Sequence, residues 1–248
     1  MATEPLARKP LTVLVTGGSN ASGIAVARSL GAAGHRVFTV GSNEARIEAA
    51  AAEAGSGTVP LACDLTRLDA VRELARVIHD AAGAVDGVIH LVGGWRGAQG
   101  IEDQADEDWH ALEQSAITTL RNVSRVFYRD LAASPEGRFA MVSSTAVASP
   151  AAGVANYVAA KAAAEAWTLA LADGFRRAQS GNKEQPVQQH SAAVVFVVKA
   201  LVDAAMRREH PERKFPGATD VEELASAAVG LFDKPAAELN GQRLLLAK

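Results

Sequence analysis

The sequence predicts an α/β fold of three layers, in which a seven-stranded, mostly parallel sheet lies between two layers of helices. Short apolar runs rich in β-branched residues alternate with longer, alanine-rich segments of helical periodicity. This alternation is typical of repeated βαβ units. Several of the apolar runs also lack polar alternation, as expected of strands that are covered on both faces.

Each predicted element follows from its local pattern. The predicted strands are Thr12–Thr16, Arg36–Val40, Thr58–Ala62, Gly87–Val92, Arg138–Ser143, Ala193–Val198 and Arg243–Leu246. The predicted helices are Ser22–Ala33, Glu44–Ala54, Arg67–Ala81, Glu107–Ala132, Gly153–Gln179 and Val221–Phe232. Two of these helices, Glu107–Ala132 and Gly153–Gln179, are long compared with a mean of about 11–12 residues, which suggests contact with another subunit. Packing within one subunit is the alternative. The polar stretch 180–190 is predicted to be a solvated loop.

Composition excludes several classes of partner. The 248 residues suit a single domain over 1–248, and 25 Lys and Arg against 28 Asp and Glu leave a net charge of −3. That balance predicts no nucleic-acid partner and no membrane partner. The apolar start Leu11–Val15 is too short for a signal-peptide core, and no run reaches the ~20 apolar residues of a membrane span. The single cysteine, Cys63, favours a cytoplasmic protein, and no metal site is predicted.

A glycine-rich turn follows the first predicted strand. In LTVLVTGGSNASGIAVARSL, glycines separate that strand from the first helix. Glycines there let the backbone approach a pyrophosphate, while the helix N-terminus offers free N–H groups. An ordinary strand–turn–helix connection is the alternative. The interpretation as a cofactor site predicts a Rossmann-like NAD(P)-binding domain, with contacts from Gly17, Ser19, Asn20, Gly23 and Ile24.

The ends of the second and third strands bear on the choice of cofactor. An acidic residue about 20 positions after the turn would hold the ribose of NAD, but Gly41, Ser42 and Asn43 occupy that strand end. Ser42, Asn43 or Arg46 could instead meet a 2′-phosphate, so NADP(H) is favoured over NAD(H). After the third strand, Asp64 could accept a hydrogen bond from the adenine amino group, and Leu65 lies next to it in the sequence. Alternatively, Asp64 or Thr66 could cap the next helix.

The stretch MVSSTAVASPAAGVANYVAAK contains the candidate catalytic residues. Tyr157 and Lys161 are four positions apart on a predicted helix and so share a face. Ser144 ends the fifth strand, at the sheet edge where open α/β folds bind ligands. Such a group could transfer a proton to or from a carbonyl or alcohol oxygen. Lowering a tyrosine pKa from about 10 to about 7 takes about 4 kcal/mol, which Lys161 and a nicotinamide charge could supply. A surface tyrosine with a lysine one turn away is the alternative.

Several motifs together resemble one family. TGGSNASG, CDLT, the paired serines, YVAAK and ELNGQRLLL occur in the order and approximate spacing of the short-chain dehydrogenase/reductase family, over almost the whole chain. The resemblance implies that Ser144 holds the substrate oxygen, Tyr157 is the general acid/base, and Lys161 binds the nicotinamide ribose and lowers the tyrosine pKa. It implies an oxidoreductase that transfers hydride between NAD(P) and a small carbonyl, imine or quinonoid substrate, assembled as a homodimer or homotetramer. A non-catalytic dinucleotide-binding sensor is the alternative.

The chain departs from the family at four places. Ala21 stands at the middle glycine of the phosphate turn. Ala116 stands near the family's helix asparagine, so Gln114 or Ser115 could hold the relay water instead. Lys199 follows the sixth strand in place of Pro-Gly, where it could bind an acidic substrate group or be a solvated lysine.

The fourth departure is LVGGWRGAQG, which replaces Asn-Asn-Ala-Gly after the fourth strand. Gly93 and Gly94 would let the backbone approach the adenosine ribose. Trp95 could stack on a planar substrate ring or anchor the loop, with Arg96 beside it. Gly-Gly-Trp and the later AMRREHPERKF resemble short motifs of the quinonoid dihydropteridine reductases, a branch of the same family that uses NADH. The candidate substrate-binding residues are Trp95, Arg96 and Lys199.

Overall fold

The computed structural model describes residues 9–55, 57–181 and 187–246. Positions 182–186 of the predicted polar loop lie outside the described residues. None of the described helices is long and apolar enough to cross a membrane.

The central sheet has seven strands: β1 Thr12–Thr16, β2 Arg36–Gly41, β3 Thr58–Ala62, β4 Gly87–His90, β5 Arg138–Ser144, β6 Ala192–Val198 and β9 Arg243–Leu245. Their order in the sheet is β3-β2-β1-β4-β5-β6-β9, and every neighbouring pair is parallel. A separate parallel pair, β7 Leu201–Val202 and β8 Thr219–Asp220, follows β6. The prediction of a seven-stranded sheet is confirmed.

Helices cover both faces of this sheet. They are α1 Ala21–Ala32, α2 Glu44–Ala54, α3 Leu68–Ala82, α4 Asp106–Leu112, α5 Thr119–Ala133, α6 Ala155–Ala178, α7 Ala204–Glu209, α8 Val221–Val229 and α9 Ala236–Leu239. On one face, α3, α5 and α6 bury side chains such as Ile78, Phe127 and Phe175 against the sheet. On the other, α1 and α8 bury Leu30 and Leu224. This double coverage explains why β1, β4 and β6 have no exposed residue.

One predicted helix is interrupted. The segment Glu107–Ala132 is not continuous, because a π-helical segment, Glu113–Thr118, separates α4 from α5. Two side chains hydrogen-bond locally there: Thr118 Oγ1 donates to Glu113 Oε1 at 2.6 Å, and Thr119 Oγ1 donates to the Ser115 carbonyl at 2.7 Å. Such bonds compete with the regular helical ladder, and π-helical turns are frequent at functional sites.

Most other boundaries agree within one or two residues. The fourth strand ends at His90 instead of Val92, because Leu91 and Val92 pack directly against Gly17 of the neighbouring turn. The second long helix begins at Ala155, after a short 3-10 turn at Ala152–Val154. The last predicted helix ends at Val229. Because the central strands are parallel, the ends of β1, β2, β3, β4, β5 and β6 meet at one edge of the sheet.

Candidate active site

The turn between β1 and α1 is packed too closely for side chains. Gly17 has a φ of 76°, and a Cβ on it would lie 2.8 Å from the Leu91 carbonyl carbon. A Cβ on Gly18 would lie 1.7 Å from Thr39 Oγ1, and one on Gly23 would lie 2.5 Å from the Gly17 carbonyl oxygen. These glycines therefore let the turn fold onto β2, β4 and itself.

The N-terminus of α1 points into the space above this turn. Asn20 is the N-cap, but its side chain makes no capping hydrogen bond, and the first turn of α1 holds no acidic residue. The first amide groups of α1 therefore lack a side-chain acceptor and can meet an anion. Ala21 begins the helix without strain, since no described residue other than glycine has a positive φ.

A cleft of about 440 Å³ runs along this edge of the sheet. Its volume lies in the range of about 300–1,000 Å³ that is usual for small ligands and cofactors. The candidate cofactor residues on its walls are Gly17, Ser19, Asn20, Ser42, Asn43, Asp64, Leu65 and Gly93. The candidates Gly23, Ile24, Gly94, Tyr157 and Lys161 do not line it. Further wall residues are Val40, Gly41, Arg46, Cys63, Thr66, Val92, Ala111, Gln114, Ser115 and Thr119.

The end of β2 presents a cation and no carboxylate. The side chain of Asn43 is engaged as the N-cap of α2, where it accepts from the Arg46 backbone N–H at 2.9 Å. Ser42 and Arg46 are exposed and line the cleft. Within the described residues the Arg46 guanidinium forms no ion pair.

The turn after β3 is fixed from two directions. Asp64 Oδ1 accepts from the backbone N–H and the hydroxyl of Thr66, at 3.0 and 2.7 Å. Asp64 therefore closes a local turn, while the N-cap of α3 is Arg67 without a side-chain bond. From α5, the buried amide of Asn122 donates to the carbonyls of Leu65 and Thr66 at 3.0 and 2.9 Å. No motif in the sequence indicated this role of Asn122.

Ser144, Tyr157 and Lys161 meet at the ends of β5 and α6. Ser144 is buried, and its hydroxyl accepts from the Ala146 N–H at 3.2 Å and lies close enough to the Tyr157 phenol to act on its pKa. Burial raises the pKa of Tyr157, and Ser144 opposes that rise. The implied lowering of the tyrosine pKa is therefore not present in the protein by itself, because burial of the phenol dominates.

Lys161 is a buried cation. Its Nζ donates to the Val142 carbonyl at 2.9 Å, and a Cβ on Gly93 would come within 3.1 Å of that Nζ. Burial lowers the pKa of Lys161 from 10.5 to about 8, and Glu165 opposes the effect. The absence of a side chain at Gly93 thus keeps Lys161 close to the cleft.

A buried histidine connects three elements beside this group. His90, at the end of β4, hydrogen-bonds through Nδ1 to Thr16 Oγ1 at 2.8 Å and through Nε2 to Thr119 Oγ1 at 3.3 Å. Burial, and next the charge of Lys161, lower the pKa of His90 from 6.5 to about 3. A neutral imidazole therefore ties β1 to α5. Sequence analysis missed His90 because a single histidine in an apolar strand carries no motif.

The loop after β4 packs against the segment that precedes α6, where the Ala98 N–H donates to the Gly153 carbonyl at 2.7 Å. Trp95 is 65% exposed, and its ring lies over Gly97. Arg96 donates to the Trp95 carbonyl at 3.0 Å and lies 3.2 Å from Asp108 Oδ1. The exposed ring lies at the surface, so Trp95 does not pack in the core. Ile101 in the same loop is similarly exposed, at 64%.

Gln104 ties this loop to the start of α6. Its Nε2 donates to the carbonyls of Gly100 and Ala152, both at 3.0 Å, and its Oε1 accepts from the Asn156 N–H at 3.0 Å. The loop is thereby attached to the residue that precedes Tyr157. Lys199 follows β6 in the chain, and its Nζ donates to the Pro216 carbonyl at 3.0 Å.

Comparison with known proteins assigns the family. The sequence profile of the short chain dehydrogenase family matches residues 11–180, which is more than half of the chain. The chain belongs to the short-chain dehydrogenase family. It is accordingly an oxidoreductase of the short-chain, NAD(P)-dependent type, as its relatives named reductases and dehydrogenases are.

Similar short-chain dehydrogenases span nearly the whole chain. The 3-oxoacyl-[acyl-carrier-protein] reductase FabG of Vibrio harveyi is 28% identical over 238 residues, 93% of each chain. The fold resembles that of an NAD⁺-bound xylitol dehydrogenase, with a TM-score of 0.79 and 18% identity over 96% and 97% of the two chains. It also resembles an NADPH-bound short chain oxidoreductase of Pseudomonas aeruginosa PAO1, with a TM-score of 0.81 and 18% identity over 95% of each. These relatives do not confirm the local resemblance to quinonoid dihydropteridine reductases.

The departure from the short-chain dehydrogenase pattern at Ala116 lies beside the cleft. Ala116 is buried within the π-helical segment, whereas Gln114 and Ser115 of the same segment line the cleft. Ser115 Oγ lies 4.0 Å from where a Cβ on Gly94 would be. Polar groups at this segment are therefore supplied by the neighbours of Ala116.

Among the described residues, no cluster of three or more His, Cys, Asp and Glu could hold a metal ion.

Proposed function

We propose that this short-chain dehydrogenase is an NADPH-favouring reductase of small carbonyl compounds, with Tyr157 as the general acid. The observation that carries the proposal is that Ser144 acts on the Tyr157 phenol while Lys161 Nζ, hydrogen-bonded to the Val142 carbonyl, lies beside Gly93 of the cofactor cleft. A bound nicotinamide would supply hydride to the carbonyl carbon. The protein supplies the proton and the orientation.

The protonation state of Tyr157 favours reduction over oxidation. Because burial raises the pKa of Tyr157, its phenol is protonated at neutral pH and can donate to a developing alkoxide. Ser144 Oγ would hold the same substrate oxygen. The charged Lys161 would stabilise the phenolate that remains and would hydrogen-bond the nicotinamide ribose. In the oxidation direction the same phenol would first have to lose its proton, which burial disfavours.

The residues present fit a dinucleotide. The glycine turn leaves no room for side chains, the N-terminus of α1 offers unpaired amides, and the cleft leads from there toward Gly93 and Lys161. Ser42 and Arg46 would meet a 2′-phosphate, because the end of β2 provides a cation and no carboxylate. Relatives are known with either NAD⁺ or NADPH bound, so the preference rests on these two side chains.

Trp95, Arg96 and Lys199 are proposed to line the substrate side. The exposed ring of Trp95 offers a face on which an apolar or planar substrate group can pack. A carbonyl is the substrate class we favour over an imine or a quinonoid ring, because relatives that match 93% of the chain are named 3-oxoacyl-[acyl-carrier-protein] reductases. The alternative of a non-catalytic sensor, which Ala116 and Lys199 suggest, is less favoured because the Ser144, Tyr157 and Lys161 set is complete.

We also propose that the cofactor-binding residues and the catalytic site lie in one domain. The protein is further proposed to be a cytoplasmic homodimer or homotetramer. A mostly apolar groove of about 240 Å³ lies between α5 and α6. It is lined by Ser124, Arg125, Tyr128, Trp167, Ala170, Leu171 and Gly174. Leu169 on α6 is also 39% exposed. A second copy of the chain would cover these apolar side chains.

The test is oxidation of NADPH and NADH with a panel of 3-oxoacyl thioesters, simple ketones, aldehydes and a quinonoid dihydropterin. We expect turnover with at least one carbonyl and a higher kcat/KM for NADPH. Cofactor binding, measured by quenching of tryptophan fluorescence, without oxidation on any substrate of the panel would contradict the proposal and favour the sensor.

A further inference from the structure

A second buried charge lies one turn beyond Lys161 on α6. Glu165 follows Lys161 by four residues, as Lys161 follows Tyr157, so the three side chains share one face of the helix. Lys161 is 8% exposed and Glu165 only 6%. A buried carboxylate is costly unless it is paired. The roles proposed above for Ser144, Tyr157 and Lys161 leave Glu165 without a function.

The partner of Glu165 comes from the far edge of the sheet. Arg243 of β9 places Nε 2.7 Å from Glu165 Oε2 and Nη2 3.2 Å from Oε1. This two-point contact occupies both carboxylate oxygens and fixes their orientation. Lys161 instead donates to the Val142 carbonyl, and no ion pair joins Lys161 to Glu165 within the described residues. Glu165 therefore acts on the ammonium through space, without taking one of its protons.

On the π-helical segment and α4, which also pack against α6, Glu113 accepts from Thr118 Oγ1 and Asp108 pairs with Arg96. The groups of β4, β5, β6 and α6 near Lys161, other than Glu165, do not supply a negative charge. From β4, His90 is neutral, because its pKa is lowered to about 3. On α6, Tyr157 is protonated at neutral pH because burial raises its pKa. The end of β5 offers the carbonyl of Val142 and two serines, and β6 holds only Ala, Val and Phe. Glu165 is the carboxylate whose field opposes the burial of Lys161, and Arg243 lies behind it.

We propose that Glu165, oriented by Arg243, is a positioning residue that keeps the Lys161 ammonium charged inside the apolar site. Through Lys161 it sets the upper pH limit of Tyr157-dependent reduction. This inference rests on the proposed function.

The experiment compares the pH dependence of kcat/KM for carbonyl reduction in wild type, Glu165→Gln and Glu222→Gln. Glu222 pairs with Arg28 on the surface and is the matched control. In Glu165→Gln the limb that falls at high pH should move down by about one pH unit, because the ammonium loses its proton more readily. At about pH 6, where the ammonium remains charged, activity should be within about twofold of wild type. Glu165→Asp, which keeps the carboxylate, should have a pH profile close to that of wild type. Glu222→Gln should not change the profile.

Lysine ¹³Cε NMR titration of the protein without cofactor gives a second measurement that needs no turnover. The Lys161 resonance, assigned by its loss in Lys161→Met, should titrate at a lower pH in Glu165→Gln than in wild type. If wild type reduces no carbonyl, the proposed function fails, while the NMR titration still decides whether Glu165 controls Lys161.

An active wild type whose falling limb and NMR titration are unmoved by Glu165→Gln would overturn the inference. So would a loss of activity by the same factor at every pH, which indicates a structural role. If Glu165→Gln does not fold, Glu165→Leu/Arg243→Leu replaces both charges. A smaller downward shift of the Lys161 titration would then support the inference, and an unmoved titration would overturn it.

Discussion

Replacing Lys161 with methionine should abolish reduction and stabilise the fold at neutral pH. Burial lowers the pKa of Lys161 from 10.5 to about 8. A difference of that size between folded and unfolded chain means that keeping the ammonium charged in the folded protein costs about 3 kcal/mol. Loss of the 2.9 Å hydrogen bond to the Val142 carbonyl offsets about 1–2 kcal/mol of the gain. The free energy of unfolding of the variant should therefore exceed that of wild type by about 1–2 kcal/mol at pH 7.

The sign of this difference should change with pH. Between about pH 8 and 10.5 the folded wild type gives up the Lys161 proton while the unfolded chain keeps it, so wild-type stability rises relative to the methionine variant. Below about pH 8 both states hold the proton and the difference is constant. Urea unfolding followed by tryptophan fluorescence at about pH 7 and about pH 10 measures both values.

The matched control is Lys199→Met, which removes an exposed lysine from the same edge of the sheet. Its free energy of unfolding should stay within about 0.5 kcal/mol of wild type. A Lys161→Met variant that is less stable than wild type by the same amount at both pH values would refute the account of Lys161 as a buried, destabilising cation.

The other predictions concern cofactor choice, the loop after β4 and assembly. Arg46→Gln should raise the Kd of NADPH about tenfold and change that of NADH less than twofold, because only NADPH has the 2′-phosphate. Fluorescence quenching measures both Kd values, and equal effects on both would show that Arg46 does not recognise the 2′-phosphate. Gln104→Met should lower kcat and raise KM while cofactor affinity stays close to wild type, because the loop loses the three hydrogen bonds of Gln104 to Gly100, Ala152 and Asn156. Unchanged kinetics would show that this link does not act on Tyr157. Sedimentation should give a species larger than the 25.8 kDa chain, and Leu169→Asp should shift it toward monomer; a wild-type monomer would reject the assembly.

The sequence predicted the parts of the fold that depend on local pattern. Inner strands that are covered on both faces appear as unbroken apolar runs, whereas the partly exposed edge strands β3 and β9 were predicted from short apolar runs alone. The two-residue strands β7 and β8 were not predicted. Tyr157 and Lys161 could be placed on one helix because their spacing matches a helical turn, and the glycine turn could be predicted because close backbone approach requires glycine. In these cases the residues that decide the structure are near one another in the chain.

The remaining features depend on contacts between distant residues. Glu165 and Arg243 are 78 positions apart, and His90 lies 74 and 29 positions from its two threonine partners. No local pattern reports such pairs. The π-helical segment was missed because the apolar periodicity on either side continues through it, whereas the interruption accompanies hydrogen bonds of Thr118 and Thr119.

The most direct test of the central claim is a single-turnover measurement with Tyr157→Phe. Excess enzyme is loaded with NADPH and mixed with the best carbonyl substrate of the panel, and nicotinamide absorbance reports the chemical step. We predict that removing the phenolic proton slows this step by about 10²–10⁴-fold while the Kd for NADPH stays within about twofold of wild type. A hydride-transfer rate equal to that of wild type would contradict the assignment of Tyr157 as the acid.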